Sequence, residues 1–183
     1  MKSIFFTSLS ILATFLIVST SAKPLVDIES QEASPADADK VIKYIQDPNN
    51  AGNLNPSCFF SGQTAVQTVI KGKTYTSKKS AESALKDFQA SKNCRVIAEV
   101  VANAGVSTGV LTDADWKRIS KAFADQVAGQ VYVLLGKDIR KGSVWETDEK
   151  DALKNNAKVT RVEISEIETD GSIKVTGRTK ATL

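Results

Sequence analysis

The chain has 183 residues, of which 42% are hydrophobic and 25% are charged, and its formal net charge is +3. This composition is typical of a globular domain, and it excludes a disordered chain and, with only two cysteines, a disulfide-dense miniprotein. The chain contains no histidine. That absence excludes a Ser-His-Asp triad, a Cys-His nucleophile pair, a histidine metal ligand and an imidazole pH switch.

Residues 1–22 have the layout of a secretory signal peptide. Lys2 precedes an uncharged, largely apolar run from Ile4 to Val18, and small residues up to Ala22 form a cleavage site. The apolar run is shorter than the roughly 20 residues that a membrane-spanning helix requires. We therefore expect cleavage after Ala22 and a secreted, extracellular protein without a membrane span.

Residues 23–57 are predicted to form an acidic N-terminal arm with one helix and a loop, since they include three basic and six acidic residues. The stretch Lys23–Ala33 shows no clear periodicity. A helix is predicted to begin at Pro35, after Ser34, and to end before Asp47-Pro48. Its apolar residues recur at helical spacing: Ala38, Val41, Ile42 and Ile45.

Residues 58–183 are predicted to form a single globular domain. A strand is expected from Cys58 to Ile70, continuing through a turn at Lys71-Gly72-Lys73. Ser80 is predicted to cap a second helix. The segment Arg95–Ala104 is ambiguous, because its apolar spacing fits a helix and its β-branched residues also permit a strand.

The next segment combines a helix and a buried strand. Thr112 and Asp115 resemble a capping box at the start of an amphipathic helix, which Gly129 is expected to end. The run Gln130–Leu135 then changes to a period of two and is predicted to be a buried strand.

The last third of the chain is predicted to be rich in strands. Ser143–Trp145 is read as a short strand, Thr147 as the cap of a short helix, and Lys158–Glu168 as a strand. Asp170-Gly171 is a two-residue turn signal that returns the chain along Ser172–Thr179. The predicted fold class is therefore α+β, with helices mainly in the first two-thirds and an antiparallel sheet with a C-terminal hairpin in the last third.

Cys58 and Cys94 are the only cysteines and lie 36 positions apart. Because exported proteins fold in an oxidising compartment, the two are predicted to form one intramolecular disulfide. The alternatives are a reactive thiol and an intermolecular bridge. In the chain-entropy model such a disulfide stabilises the fold by roughly 3–4 kcal/mol.

The segment from Cys58 to Ala98 is basic, with seven lysine and arginine residues against Glu82 and Asp87. A basic stripe beside an aromatic residue, here Tyr75, can bind phosphate backbones or anionic lipid head groups. The alternative is a solvated face covered by the acidic arm. The candidate anion-binding residues are Lys71, Lys73, Lys78, Lys79, Lys86, Lys92 and Arg95.

The stretch Lys137–Glu149 contains the candidate catalytic residues. Glu146 could act as a base, Arg140 and Lys141 could stabilise developing negative charge, and Trp145 could stack on a base or sugar. The alternative is that Trp145 belongs to the core and that Glu146 is a surface residue near a helix start. The sequence predicts no cofactor and no metal ion.

The predicted order, helices first and an antiparallel sheet afterwards, resembles that of the barnase and colicin-type ribonuclease folds. No sequence motif of those ribonucleases is present, and barnase-type enzymes use a histidine that this chain lacks. A ribonuclease-like toxin would therefore need a histidine-free site at Arg140, Lys141 and Glu146.

The signal peptide, the size of the mature chain and its lone cysteine pair resemble the small secreted proteins of filamentous fungi and similar eukaryotic microbes, which often act as effectors on a host. Because catalytic side chains are few, the leading hypothesis is a secreted, non-enzymatic interaction protein with a protein partner, and a virulence effector is one form of it. The alternatives are the secreted ribonuclease-like toxin and a module that binds nucleic acid or lipid head groups.

Overall fold

The structure is a computed structural model that describes residues 35–183. The predicted signal peptide of residues 1–22, its cleavage site and the stretch Lys23–Ala33 lie outside the described residues. Between residues 35 and 183, no helix combines the length and the apolar character that crossing a membrane requires.

The described residues form five α-helices and six β-strands. In chain order these are α1 (Pro35–Gln46), β1 (Ser57–Ser61), β2 (Gln63–Ile70), β3 (Lys73–Ser80), α2 (Ala81–Lys92), α3 (Ile97–Asn103), α4 (Asp113–Gln126), β4 (Gly129–Leu135), α5 (Lys150–Asn155), β5 (Val159–Ile167) and β6 (Ile173–Val175). A π-helical turn, Trp145–Glu149, runs directly into α5. The fold is α+β, as predicted.

Four strands form the central sheet in the order β1-β4-β5-β6. β4 pairs in parallel with both β1 and β5, whereas β6 is antiparallel to β5. The predicted C-terminal hairpin is thus confirmed, but the antiparallel pairing expected for the last third applies only to β5 and β6. The sequence of β4 is consistent with this parallel pairing. A parallel strand is covered on both faces of the sheet, and the run Gln130–Leu135 is apolar at nearly every position.

Alternating side chains divide the core between the two faces of the sheet. On one face, Phe59, Val131 and Val133 pack in a cluster with α1, α3, α4 and α5. On the other face, Cys58 and Leu134 pack in a smaller cluster with α2. Helices therefore cover both faces of the sheet.

The local signals for helix starts are confirmed. The Ser80 hydroxyl accepts a hydrogen bond from the Ser83 amide at the start of α2. Thr112 and Asp115 form both halves of the capping box of α4. The ambiguous segment Arg95–Ala104 contains helix α3.

Two predictions in the segment before α5 are wrong. Ser143–Trp145 is not a strand, and Thr147 does not cap a helix, because the chain is already helical from Trp145 onwards. Trp145 is only 3% exposed. Burial of this large side chain against the core stabilises the helical turn, which outweighs the weak local capping signal of Thr147.

The predicted single strand from Cys58 to Ile70 is two strands in different sheets. The chain bends at Gly62, whose φ is +81°, between β1 and β2. A side chain there would meet the Asp138 carbonyl oxygen at 2.8 Å. Glycine is therefore required at this bend by both its backbone conformation and its close neighbour.

β2 and β3 form a separate two-stranded antiparallel ribbon. Lys71 and Gly72 close it with φ values of 49° and 74°, as in the two-residue turns that suit the twist of a hairpin. At the base of the ribbon, the Thr64 hydroxyl donates a 2.8 Å hydrogen bond to the Ile167 carbonyl oxygen. From Gln67 to Lys78 every residue of the ribbon is exposed.

The helix and loop predicted for residues 35–57 are present, and they belong to the globular core. Val41 is fully buried on the inner side of α1, and Asp39 pairs with Arg118 of α4 at 2.5 Å. The change of charge at residue 57 is therefore not a boundary of the fold. The charge of this segment carries no information on α1, because Asp37 and Asp39 in the helix are balanced by Lys40 and Lys43.

Cys58 and Cys94 form the predicted disulfide. Their Cα atoms are 5.6 Å apart, and both residues are buried between the sheet and α2. The bridge closes a loop that contains the whole ribbon and α2.

Candidate functional site

The residues predicted as a catalytic group occupy the surface. Arg140, Lys141 and Glu146 are all exposed. Glu146 Oε2 accepts a 3.3 Å hydrogen bond from the Gly142 amide. Within residues 35–183, Glu146 forms no ion pair with either basic residue. Trp145 is buried in the core and Glu146 lies on the surface, which matches the alternative that the sequence left open for this stretch.

Two of the candidate anion-binding residues are engaged by carboxylates. Lys92 Nζ lies 2.6 Å from Glu163 Oε1 and 5.4 Å from the centroid of the Tyr132 ring. Arg95 Nη1 lies 3.9 Å from a carboxylate oxygen of Glu99. Their charges are therefore partly neutralised within the fold.

The other candidate anion-binding residues are divided between the ribbon and α2. Lys79, at the base of the ribbon, donates a 2.8 Å hydrogen bond to the Gly171 carbonyl oxygen. The remaining four have exposed side chains and form no ion pair in the described part of the chain: Lys71, Lys73, Lys78 and Lys86.

The exposed part of the ribbon, residues 67–78, also carries apolar side chains. Val69 is 68% exposed, Ile70 is 53% exposed and Tyr75 is 52% exposed. Large exposed apolar patches on a monomer mark interaction surfaces, so this part of the ribbon is a candidate for one.

A cavity of about 530 Å³ opens beside β1, the edge strand of the central sheet. Residues of β1, α2, α3, α4 and the π-helical turn line it. The chain has two tryptophans, and both Trp116 and Trp145 lie in its wall. Mostly apolar cavities of this size with a few polar groups are the usual form of small-molecule sites.

Glu149 is the buried acidic group of this cavity. It ends the π-helical turn and is 8% exposed. Burial raises the pKa of its carboxyl group from the ordinary value of 4.5 to about 7, a hydrogen bond with Ser120 opposes the rise, and the charge of Asp148 adds to it. A carboxyl group with such a pKa exchanges protons near neutral pH, and π-helical turns often occur at functional sites.

A smaller cavity continues from the first one along the end of β1. The two share Phe60, Ser61 and Glu82 in their walls, and Arg140 and Ser143 line the smaller one. The Ser143 hydroxyl is buried and has no hydrogen-bond partner among residues 35–183. Arg140 therefore lines the smaller cavity, whereas Lys141 and Glu146 line neither of the two cavities.

Sequence reasoning missed Glu149, Trp116 and Ser120. The sequence signal that could have indicated them is a spacing of four residues, which separates Trp145 from Glu149 and Trp116 from Ser120. Residues at that spacing share one side of a helix. The sequence alone does not show that two such pairs, on α4 and on the π-helical turn, line one cavity.

No family model, no curated protein and no solved structure matches the chain. The described residues contain no group of three or more cysteine, aspartate or glutamate side chains arranged to hold a metal ion. The cavity and the ribbon are the features of residues 35–183 that bear on function.

Proposed function

We propose that the protein is a secreted, non-enzymatic interaction protein, and that the exposed part of the β2–β3 ribbon is the surface that binds its protein partner. The observation that carries the proposal is the exposure of Val69, Ile70 and Tyr75 on an element that projects beyond the core. The signal-peptide pattern of residues 1–22 supports a partner outside the cell, and action on a host as an effector is the form of this role that we favour.

The pairing of the two strands supports a partner that contacts both faces of the ribbon. Thr68 lies opposite Tyr75, Val69 opposite Thr74 and Ile70 opposite Lys73. Because successive side chains point to opposite faces, Ile70 and Tyr75 share one face and Val69 occupies the other. Within residues 35–183 these side chains are exposed, although a two-stranded ribbon gains stability when one of its faces is covered.

The charge of the ribbon supports a partner with an acidic surface. The ribbon from Gln63 to Ser80 contains four lysines and no acidic residue. Complementary charge speeds association and selects the partner, whereas like charge opposes pairing with a second copy of this chain. We therefore expect a different protein, with acidic residues around an apolar patch.

Photo-crosslinking tests the proposal. A photoreactive amino acid at Thr74 would identify the extracellular partner, and the partner's affinity would then be measured for three proteins. The triple variant Val69→Ser, Ile70→Ser, Tyr75→Ser should bind roughly tenfold or more weakly than the wild type. The control Val175→Ser, an equally apolar side chain that is 59% exposed on β6, should bind as the wild type does.

Near-ultraviolet circular dichroism would verify that the triple variant keeps the native packing. Equal affinity of the triple variant and the wild type would reject the ribbon as the binding surface. Salt-sensitive binding to RNA or to anionic vesicles, without a protein partner, would favour the anionic-ligand module instead. Turnover of RNA by the purified protein would favour the ribonuclease-like alternative and contradict a non-enzymatic role.

A further inference from the structure

The cavity beside β1 has a lining that combines aromatic rings with negative charge. Trp116, Trp145, Phe59 and Phe60 supply the rings. Its ionisable residues are Glu82 from α2 and Glu149 from the π-helical turn, and among the described residues no lysine or arginine lines it. The ionisable side chains of its lining are therefore all acidic.

Glu149 lacks a counter-ion in the described part of the chain. A buried carboxylate is costly when neither a cation nor a set of hydrogen-bond donors compensates it. Among the described residues, Ser120 is the one side chain whose hydrogen bond lowers the pKa of this carboxyl group. The site thus offers a position that a positive charge from outside the chain would fill.

The geometry points to a small organic cation, an alkylammonium or quaternary ammonium compound, as the ligand of this cavity. Tryptophan faces attract ammonium groups, and a desolvated site strengthens the attraction. The apolar part of such a ligand would contact the aliphatic and aromatic lining, for which a cavity of about 530 Å³ has room. A bare metal ion fits less well, since divalent metals require several oxygen ligands in one cluster.

Binding of a cation is linked to the ionisation of Glu149. The charged group that acts on its carboxyl group is Asp148, next to it in the turn, while Glu82 of α2 lines the same cavity and α4 contributes the neutral Ser120. The charge of Asp148 opposes ionisation, and a bound cation favours it. Affinity for the cation should therefore be higher at pH 7.5 than at pH 5.5, on the order of 20-fold if the linkage is complete.

Tryptophan fluorescence gives a direct readout, because both tryptophans line the cavity. The purified protein would be titrated with choline and with 2-phenylethylamine. Each cation has an uncharged counterpart of similar shape, 3,3-dimethylbutan-1-ol for choline and 2-phenylethanol for the amine. At least one cation should bind roughly tenfold more tightly than its counterpart, and that preference should weaken at pH 5.5.

Matched variants locate the effect. Glu149→Gln should abolish the preference for the cation, whereas Glu146→Gln, in the same turn but exposed, should preserve it. Glu82→Gln provides a second variant at the cavity wall, which should lower the preference in part. Equal binding of cation and neutral counterpart by the wild type, or no binding of either cation, would overturn the inference.

Discussion

At the scale of single residues, the Glu149 carboxyl group makes the stability of the protein depend on pH. Its pKa is about 7 in the folded protein, where burial disfavours the charge, against an ordinary value of 4.5. Below pH 4.5 the group is protonated in both the folded and the unfolded state, and its burial costs least. As the pH rises to 7, only the unfolded state ionises freely, so stability is lost, by about 3 kcal/mol in total.

Glu149→Gln removes this loss. We expect the variant to be about 3 kcal/mol more stable than the wild type at pH 8, and the two proteins to have similar stability at pH 4. Urea unfolding at both pH values measures the difference. The exposed neighbour provides the control, because Glu146→Gln should change the free energy of unfolding little at either pH. A constant difference between Glu149→Gln and the wild type from pH 4 to pH 8 would contradict the assigned burial of the charge.

Glu149 also shows what sequence reasoning lacked at this scale. The stretch Lys137–Glu149 stands out in the sequence for its combination of tryptophan and charge, and it does contain the buried carboxyl group of the cavity. Within it, Glu146 is the candidate base because it follows Trp145 directly and lies close to Arg140 and Lys141 in the chain. Once the turn is helical, the residue four positions after Trp145 shares its buried side, and that residue is Glu149. Only the packing of the whole chain establishes the helical turn.

At the scale of elements, the junction between the ribbon and the central sheet depends on close backbone contact. Gly136 follows β4, and its amide donates a 2.8 Å hydrogen bond to the Ser61 carbonyl oxygen. A side chain at Gly136 would lie far inside van der Waals contact with the Gln63 backbone. Backbone atoms cannot rotate away, so the strands would have to separate.

Gly136→Ala should therefore destabilise the protein by about 3 kcal/mol, at the upper end of the cost of overpacking. Thermal or urea unfolding measures it. Gly52→Ala is the control, because nothing lies within 4 Å of the position its side chain would take, and it should leave stability almost unchanged. Equal stability of the two variants would show that the ribbon and β4 are not in close contact.

Elements with local signals were predictable, and elements that depend on distant partners were not. Ser80 and Thr112 cap their helices as expected, because a capping side chain bonds to amides within its own turn. The parallel alignment of β1, β4 and β5 joins segments that are far apart in the chain. Its one local sign was the continuous apolar run Gln130–Leu135, which indicates burial on both faces but not the direction of the neighbouring strands.

At the scale of the whole molecule, the Cys58–Cys94 disulfide connects the edge strand of the sheet to the end of α2. Its loop of 36 residues includes the ribbon and the helix that covers one face. Replacing both cysteines by alanine should lower the free energy of unfolding by roughly 3–4 kcal/mol, because the unfolded chain regains the freedom that the bridge removes. Alanine is the appropriate substitution, since both positions are buried and apolar. An unchanged urea midpoint would contradict this prediction.

The distribution of the core predicts which part of the molecule loosens first without the bridge. The cluster on the α2 side of the sheet is the smaller of the two and contains both cysteines, whereas α4 packs in the larger cluster around Ile119 and Phe123. Amide hydrogen exchange in the reduced protein should therefore accelerate in α2 while α4 keeps most of its protection. Equal acceleration in both helices would mean that the two faces of the sheet unfold as one unit.

Loosening of α2 would also disturb one wall of the cavity beside β1, since Glu82 and Leu85 of α2 line it. Reduction of the disulfide should therefore weaken the binding of a cation in this cavity before the protein unfolds.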